Sequence, residues 1–321
     1  MNEPRFHVTT LGEGQLRLSV PNGVRLEDAR NFEVHVSGTE ANVTGLLARL
    51  GWSCGWVSRL PNSPLGARVR NEYQRTGLDL SAVRLLDDTR LATYYVENAV
   101  PPRSTQVYYD RANTCFSTMR TEDVDWDYLL DSRVLHLSGL SLGLSASVRE
   151  LMLEAIKRAK TAGIKVSFDV NYRAKMWSAA AAALALKPVL EQVDILFCGQ
   201  RDASRLFGLQ GSPGEIMADL RDLTSAQHIV MTLGNEGLVA WDGKTHHRVA
   251  AREVTVLDRI GAGDACVGGV LHGYLQGDFE KGLRYGVACA ALALSQYGDQ
   301  TITNVQELER LLEGCGHDIE R

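Results

Sequence analysis

The sequence predicts an α/β fold: a mainly parallel sheet flanked by helices, with a small β lid. From Arg133 onward, short β-branched runs alternate with amphipathic helical stretches, the pattern of parallel βαβ units. Two pairs of short strand-like runs, inserted at about residues 13–37 and 91–118, predict the lid. Near the C-terminal end, the stretch Leu257–Gly269 is typical of a turn of small residues that opens a helix, where an anion can bind.

The length allows one large α/β domain or two smaller ones. No repeat, linker or charge block interrupts the chain, so we predict a single domain over residues 1–321. The formal net charge of −5 gives no electrostatic reason to expect nucleic acid as a partner. The six cysteines form no CxxC pair and mostly lie in apolar runs, which indicates buried thiols in a reducing compartment. The N-terminus has no basic segment followed by an apolar one, and the uncharged run 134–148 is too short to span a membrane. We therefore predict a cytoplasmic protein without a membrane partner.

The first predicted strand, Phe6–Leu11, leads into Gly12-Glu13-Gly14. A GxG after a first strand raises the hypothesis of a dinucleotide site. The position of the third glycine holds Arg17, and no helical stretch follows. We therefore reject a dinucleotide site here.

Four strand-like runs make up the predicted lid: Gln15–Val20, Phe32–Val36, Leu91–Glu97 and Thr105–Asp110. Tyrosines alternate along the second pair, as a half-buried sheet requires, and packing alone can explain them. The runs are short and flank breakers such as Pro101-Pro102, so we expect two hairpins that cover a ligand site. Exposed lid strands can also pair between subunits, which suggests a homodimer through the lid.

After Arg133, predicted strands alternate with predicted helices. The predicted strands are Val134–Leu137, Ile164–Val170, Val193–Phe197 and Ile229–Thr232. A capping box of Ser147 and Glu150 is predicted to open the helix between the first two of these strands. The second strand ends in Asp169-Val170-Asn171-Tyr172-Arg173, and polar residues at the C-terminal end of a parallel strand tend to face the ligand.

The stretch around Asp264 carries the strongest chemical signal. Val254–Leu257 indicates a strand end, and the apolar spacing after Asp264 indicates a helix. Aspartate is common in the first turn of any helix, so its presence alone proves little. At an anion site, however, a carboxylate repels the ligand unless it removes a proton from an attacking hydroxyl. A long uncharged helix then follows over Leu283–Tyr297, and Asn304 caps the last one.

Two motifs resemble a known family. Asp258-Arg259-Ile260-Gly261-Ala262-Gly263-Asp264-Ala265, followed by Gly268-Gly269, resembles the C-terminal signature of the ribokinase-like (PfkB) carbohydrate kinases. Many members have two threonines where this chain has Arg259-Ile260, and the Arg-Ile version resembles the 2-keto-3-deoxygluconate kinase branch. Ser37-Gly38-Thr39-Glu40-Ala41-Asn42 resembles the N-terminal sugar-binding turn, with Ser37 in place of one glycine. The resemblance spans about the whole chain and implies a ribokinase-like fold.

The resemblance also implies roles for individual residues. Asp264 would be the catalytic base, and the amides of Gly261, Ala262 and Gly263 would form an anion hole. The residues implied to face the sugar are Gly38, Asn42, Tyr94, Tyr108, Arg173 and Asp299. The residues implied to bind the nucleotide are Asn171, Thr232, Gly234 and Gly237. Two carboxylates are implied near metals: Asp202 beside the magnesium-bound phosphates, and Asp258 beside a monovalent cation such as K⁺.

Several positions depart from the family pattern. Gly199 and Asp202 stand where relatives carry an Asn-x-x-Glu, and Pro61-Asn62-Ser63-Pro64-Leu65-Gly66 lacks the usual acidic pair. Relatives of the keto-deoxygluconate branch carry an arginine that reaches the acid substrate where this chain has Asp110, with Arg111 next to it. Arg173 is therefore the first candidate for binding a substrate carboxylate, with Arg111 or Arg17 as alternatives.

The sequence thus predicts an enzyme that phosphorylates the primary hydroxyl of a sugar or sugar acid with ATP and Mg²⁺. The expected substrate is 2-keto-3-deoxygluconate, and two alternatives remain open. The substrate can instead be a neutral sugar of the ribose or fructose type. The degraded segments also allow a sugar-binding protein that has lost catalysis, although the intact Asp264 motif argues against it.

Overall fold

Thirteen strands and eleven α-helices make up the part of the chain that the computed structural model describes, residues 3–98 and 100–314. The strands are β1 (Phe6–Leu11), β2 (Gln15–Val20), β3 (Glu33–Ser37), β4 (Cys54–Pro61), β5 (Val83–Leu86), β6 (Ala92–Glu97), β7 (Gln106–Asp110), β8 (Ser132–Ser138), β9 (Lys165–Asp169), β10 (Ile195–Gly199), β11 (His228–Thr232), β12 (Leu238–Trp241) and β13 (His246–Val249). The helices are α1 (Thr39–Arg49), α2 (Pro64–Gln74), α3 (Trp126–Leu129), α4 (Gly139–Leu142), α5 (Ala146–Thr161), α6 (Ala179–Leu190), α7 (Gln200–Phe207), α8 (Pro213–Asp222), α9 (Ala262–Leu275), α10 (Phe279–Leu294) and α11 (Val305–Leu312).

Nine of the strands form one sheet in the order β13-β12-β11-β10-β9-β8-β1-β4-β5. Every pairing from β5 to β11 is parallel, while β12 and β13 add an antiparallel edge. Helices cover both faces, so the strands are apolar on both sides. On β11, for example, Ile229 and Met231 enter one core and Val230 enters the other, all three completely buried. The predicted mainly parallel α/β fold is confirmed.

The other four strands form a separate sheet in the order β3-β2-β6-β7. It contains the two antiparallel hairpins β2–β3 and β6–β7, joined by parallel pairing of β2 with β6. These strands lie where the sequence predicts the lid. One lid position, Ala99 between the second pair, lies outside the described residues.

Two local predictions are wrong. Val254–Leu257 is not a strand: Leu257 donates its amide to the carbonyl of Leu294 at the end of α10, and its side chain is 42% exposed. β-branched residues favour strands only where a neighbouring strand can pair with them, and this segment has left the sheet. The helix α5 is also capped by Ser145, whose side chain accepts from the Val148 amide, and not by a box at Ser147.

Five of the six cysteines are described, and all five are buried and free. Within residues 3–98 and 100–314, no helix is long and apolar enough to cross a membrane.

Candidate active site

A cavity of about 360 Å³ lies between the lid and the carboxyl ends of β9, β10 and β11, the position where open α/β sheets bind ligands. Most of the predicted site residues line it: Tyr94, Asn171, Arg173, Asp202, Thr232, Gly261, Gly263, Asp264 and Asp299. The remaining predicted residues are not part of its lining: Gly38, Asn42, Tyr108, Gly234, Gly237, Asp258 and Ala262.

Asp264 is held by two hydrogen bonds from α1. The Thr39 hydroxyl donates to Oδ1 at 2.5 Å, and the Asn42 amide donates to Oδ2 at 2.8 Å. Both donors are fixed in turn, because Asn171 donates to the Thr39 hydroxyl at 2.9 Å and Tyr73 donates to the Asn42 carbonyl at 2.8 Å. Asn42, predicted to face the sugar, thus contacts the carboxylate and positions it. A carboxylate oriented on both oxygens is a pre-organised proton acceptor.

Asp264 sits in the first turn of α9, which begins at Ala262. The helix dipole and the unpaired first amides make this turn favourable for negative charge. Burial raises the pKa of Asp264 to about 6, and the hydrogen bonds from Thr39 and Asn42 hold it below a still higher value. The group is therefore ionised at neutral pH and is a stronger base than an exposed aspartate.

The two glycines of the turn differ in what a side chain would meet. Gly261 has φ +92°, and a Cβ there would lie 2.3 Å from the Asp299 carbonyl oxygen, so the fold itself requires glycine. Gly263 has an ordinary helical backbone, and a Cβ there would meet no protein atom within 4 Å. Because Gly263 lines the cavity, a side chain at this position would occupy ligand space and not the core.

Three other predicted glycines lie away from the cavity. A Cβ on Gly38 would lie 2.7 Å from the Glu13 carbonyl oxygen, and one on Gly237 would lie 2.0 Å from that of Val249. Backbone packing therefore explains both residues without a ligand. Gly234 has φ +66° in the turn after β11 and open space around it. At this edge of the sheet, Thr232 is the predicted nucleotide residue that reaches the cavity.

The lid presents odd-numbered residues of β7 and its extension to the cavity: Val107, Tyr109 and Arg111. Side chains alternate along a strand, so Tyr108 and Asp110 point the other way. Tyr108 is 51% exposed, and Asp110 pairs with Arg90 outside the cavity. The sequence analysis therefore selected side chains on the wrong face of this strand. Tyr109 and Arg111, each one residue further along the chain, line the cavity in place of Tyr108 and Asp110.

Arg111 is the buried cation of this wall. It is 6% exposed, and its Nε and Nη2 atoms each lie 2.8 Å from Glu13 Oε2. Its Nη1 atom donates to the Met176 sulfur at 3.8 Å. Arg173, at the end of β9, is exposed on the opposite wall. Arg259, before the turn that begins α9, also lines the cavity, so three guanidinium groups can reach an anionic ligand.

Arg17 joins the lid to the turn before α9. Its Nη2 atom lies 2.7 Å from Asp258 Oδ2, and its Nη1 atom lies 3.1 Å from Asp299 Oδ1. Burial lowers the pKa of Arg17, but the two carboxylates outweigh burial and raise it above its usual value. Tyr94 also donates to Asp299. The monovalent cation predicted beside Asp258 therefore meets a guanidinium at that position.

Two further carboxylates, Asp169 and Asp202, line the cavity below Arg173. Burial, together with the charge of Asp264, raises the pKa of Asp169 to about 7. Burial also raises the pKa of Asp202, against a hydrogen bond from the Tyr172 amide. No cluster of three or more His, Cys, Asp or Glu in residues 3–98 and 100–314 could hold a metal. These two carboxylates suit a magnesium ion that is bound mainly by phosphate oxygens and water.

Sequence reasoning did not select Thr39, Tyr109 or Asp169, and it ranked Arg17 and Arg111 second. Thr39 directly follows Gly38 in the predicted turn, so its position was available from the motif. Tyr109 and Arg111 needed the correct alternation of the lid strand. Arg17 alternates with Leu16 and Leu18 in a strand, a pattern that predicts an exposed side chain, so its burial could not be predicted from the pattern.

Comparisons with known proteins identify relatives over nearly the whole chain. The sequence profile of the pfkB family carbohydrate kinases matches residues 13–306. The chain is 37% identical to the 2-dehydro-3-deoxygalactonokinase of Haloferax volcanii over 315 residues, which covers 98% of this chain and 99% of that one. It is 31% identical to the 2-dehydro-3-deoxygluconokinase of Thermoproteus tenax, covering 97% and 95% of the two chains. The crystal structure of 2-dehydro-3-deoxygluconokinase from Thermotoga maritima superposes with a TM-score of 0.91 at 28% identity, covering 98% of this chain and all of that one.

The contrast between the two glycines gives a first prediction. We expect Gly263→Val to melt within about 3 °C of the wild type, because a Cβ at this position meets no protein atom. A shift of that size corresponds to about 2 kcal/mol at roughly 2.1 cal/mol/K per residue. The added side chain should nevertheless weaken equilibrium binding of ATP. Gly261→Ala should lower the melting temperature by more, because its Cβ meets the Asp299 backbone. Calorimetry and titration with ATP measure both effects, and unchanged ATP binding by folded Gly263→Val would exclude phosphate from this turn.

Proposed function

Because the chain belongs to the pfkB family of carbohydrate kinases, we propose that it transfers the γ-phosphate of ATP to the primary hydroxyl of a 2-keto-3-deoxy sugar acid. The observation that carries the proposal is the position of Asp264. Its carboxylate is held by Thr39 and Asn42 in the first turn of α9, in the same cavity as Arg111 and Arg173. A base, a helix start suited to anions and the three arginines Arg111, Arg173 and Arg259 thus converge on one volume of about 360 Å³.

Asp264 is the proposed proton acceptor. As the substrate hydroxyl oxygen bonds to the γ-phosphorus, the bond from phosphorus to the β,γ-bridging oxygen breaks and ADP leaves. The hydroxyl proton moves to the Asp264 carboxylate. Its pKa of about 6 keeps it ionised before the reaction and basic enough to accept the proton. Thr39 and Asn42 keep both oxygens in place, so little reorganisation is needed when the proton arrives.

The transferring phosphate carries charge that the turn can stabilise. The amides of Gly261, Ala262 and Gly263 begin α9, where N–H groups lack intrahelical acceptors. Arg173 adds an exposed positive charge to the same cavity. Asp202 and Asp169 would hold the water shell of a magnesium ion, which when bound would supply positive charge to the phosphates. Asn171 and Thr232 are the proposed nucleotide contacts at this end of the cavity.

The acid specificity is proposed from the two arginines. Arg111 is fixed by Glu13, so it loses little side-chain freedom when it binds a ligand. Its Nη1 donor contacts the Met176 sulfur, a weak acceptor, and can exchange this contact for a stronger one to an oxygen. Arg173 is free to close over the same ligand. The apparent conflict with Asp110 disappears, because that carboxylate pairs with Arg90 away from the cavity. Two of the relatives compared above are named for 2-dehydro-3-deoxy sugar acids that differ in configuration, so both acids are candidate substrates.

The proposal is tested by ADP release over a sugar panel. We expect kcat/KM to be highest for 2-keto-3-deoxygluconate or its galacto isomer, and much lower for ribose, fructose and a neutral deoxy sugar. Arg111→Lys and Arg173→Lys should each cost about 1–3 kcal/mol with the acids, the range for hydrogen bonds to a charged group. Arg90→Lys, on the outer face of the same lid, is the matched control and should retain wild-type kinetics.

The panel also separates the alternatives. A neutral sugar preferred by the wild type would overturn the acid specificity but leave a carbohydrate kinase. Absence of ADP release with every sugar, while sugar acids still bind, would favour a binding protein over an enzyme. The oriented Asp264 carboxylate argues against that result, because binding alone needs no base at an anion site.

A homodimer through the lid remains a proposal. Phe32 and Tyr108 on the outer lid surface are 39% and 51% exposed, and β3 and β7 are the edge strands of the lid sheet. Exposed apolar side chains beside open strand edges favour association between copies. We expect light scattering to give twice the chain mass of 35.2 kDa, and Phe32→Glu with Tyr108→Glu to give the single mass. A monomeric wild type at micromolar concentration would rule the dimer out.

A further inference from the structure

Arg17 is one of the largest fully buried side chains of the protein, with only 1% of the side chain exposed. All three of its nitrogens have partners. Nε donates to the Ser19 hydroxyl at 2.7 Å, Nη1 donates to Asp299 at 3.1 Å, and Nη2 pairs with Asp258 at 2.7 Å. A buried arginine with every nitrogen satisfied has one defined position, and its charge is permanent.

Asp258 uses both of its oxygens as well. Oδ1 accepts from the Ile260 amide at 3.1 Å, directly before the anion turn. Oδ2 accepts from the Gly298 amide at 3.2 Å and pairs with Arg17. The carboxylate thus ties the segment before α9 to the segment after α10. Both oxygens are engaged, and the Arg17 guanidinium 2.7 Å from Oδ2 already supplies positive charge there, so the monovalent cation that the family resemblance implies does not fit between Arg17 and Asp258.

We propose that Arg17 supplies, from lid strand β2, the positive charge that a monovalent cation would otherwise provide beside Asp258. In this role it is a positioning residue. It holds Asp258, and Asp258 holds the amide of Ile260 at the entrance to the Gly261–Asp264 turn. Turnover then requires no diffusible K⁺ or Na⁺. The inference rests on the proposed kinase function, whose phosphate site is this turn.

The position of Arg17 on the lid has a second consequence. The guanidinium reaches the turn only when β2 lies in the place that the structure shows, paired with β6. Asp299, which Arg17 and Tyr94 both contact, lines the cavity and receives both of these contacts from lid strands. The lid therefore does more than cover the cavity, because it carries the charge that organises the anion site.

The wild-type enzyme provides the first test and needs no variant. Kinetics are measured with the sugar acid and an ATP salt that contains no alkali metal. The buffer contains KCl, NaCl or tetramethylammonium chloride at equal ionic strength, so that electrostatic screening is constant. We expect kcat and both KM values to differ by less than about twofold, well under the tenfold that 1.4 kcal/mol would give. The melting temperature should also be the same in the three salts, since a bound cation would stabilise the folded state by mass action.

An Arg17→Ala variant provides the second test. It leaves two buried carboxylates without their cation and a space of the right shape for guanidinium, so turnover should fall by about 10²–10³-fold, the scale of losing one positioned group at an anion site. Millimolar guanidinium chloride should restore part of the activity, and Arg17→Lys should lose less. Arg90→Ala, another lid arginine paired with an aspartate, should show neither loss nor rescue.

The outcomes separate this inference from the kinase proposal. Activation of the wild type by K⁺ of about tenfold or more, or a melting temperature raised by K⁺ alone, would overturn the role of Arg17. Folded Arg17→Ala that retains wild-type turnover would overturn it too. If no sugar of the panel is phosphorylated, the kinase proposal fails, while the melting comparison in the three salts still decides the cation question. If Arg17→Ala does not fold, the wild-type salts and Arg17→Lys decide it.

Discussion

Two hydrogen bonds hold a carboxylate at a place that binds anions, and the proposed chemistry depends on them. Asp264 would repel a phosphate if it were free to move in the turn. Thr39 and Asn42 fix it from α1, and in the proposed reaction its charge would point at the acceptor hydroxyl while the amides of the turn would face the phosphate. Burial then raises its pKa to about 6, which makes it a useful base at neutral pH.

Close helix packing makes this arrangement possible. A Cβ on Gly268 would lie 2.8 Å from the Leu46 side chain of α1, and one on Gly269 would lie 2.5 Å from the Tyr285 carbonyl of α10. Bare backbone at these two positions lets α9 pack between its neighbours, and α1 comes close enough for its side chains to reach Asp264. The glycines after the catalytic turn therefore determine the geometry of the base without touching a ligand.

Local pattern predicted much of the fold, while the expected chemistry came from the resemblance of two motifs to a family. The strands β1 and β8 to β11, the lid hairpins and the helix that begins at Ala262 follow from alternation, turn residues and helical spacing, whereas β4, β5, β12 and β13 were not predicted. The predicted strand at Val254–Leu257 failed because pairing in a sheet depends on neighbours that are distant in sequence. The choice of Tyr108 failed for a different reason, since a shift of one residue reverses the face of a strand.

The sequence alone could not predict which buried charges pair with each other. Arg17 and Asp258 are 241 positions apart in the chain, the difference between their residue numbers, and only the folded lid brings them to 2.7 Å. The same holds for Asn42 and Asp264, which a motif can place in one site but not in contact. The motifs thus place residues in one site, while the tertiary structure shows the contacts: Asn42 donates to Asp264, and Arg17 pairs with Asp258 beside the turn.

The pH dependence of kcat/KM in wild type and Asp264→Asn tests the central claim most directly. Protonation of Asp264 removes the base, so the wild-type value should fall about tenfold per pH unit below the pKa of about 6. Asp264→Asn should be lower by about 10²–10⁴-fold at neutral pH and should lack that acidic limb. Titration of ATP affects both proteins equally, so the difference between the profiles reports Asp264. A variant with near wild-type turnover, or two profiles of the same shape, would contradict the assignment of Asp264 as the base.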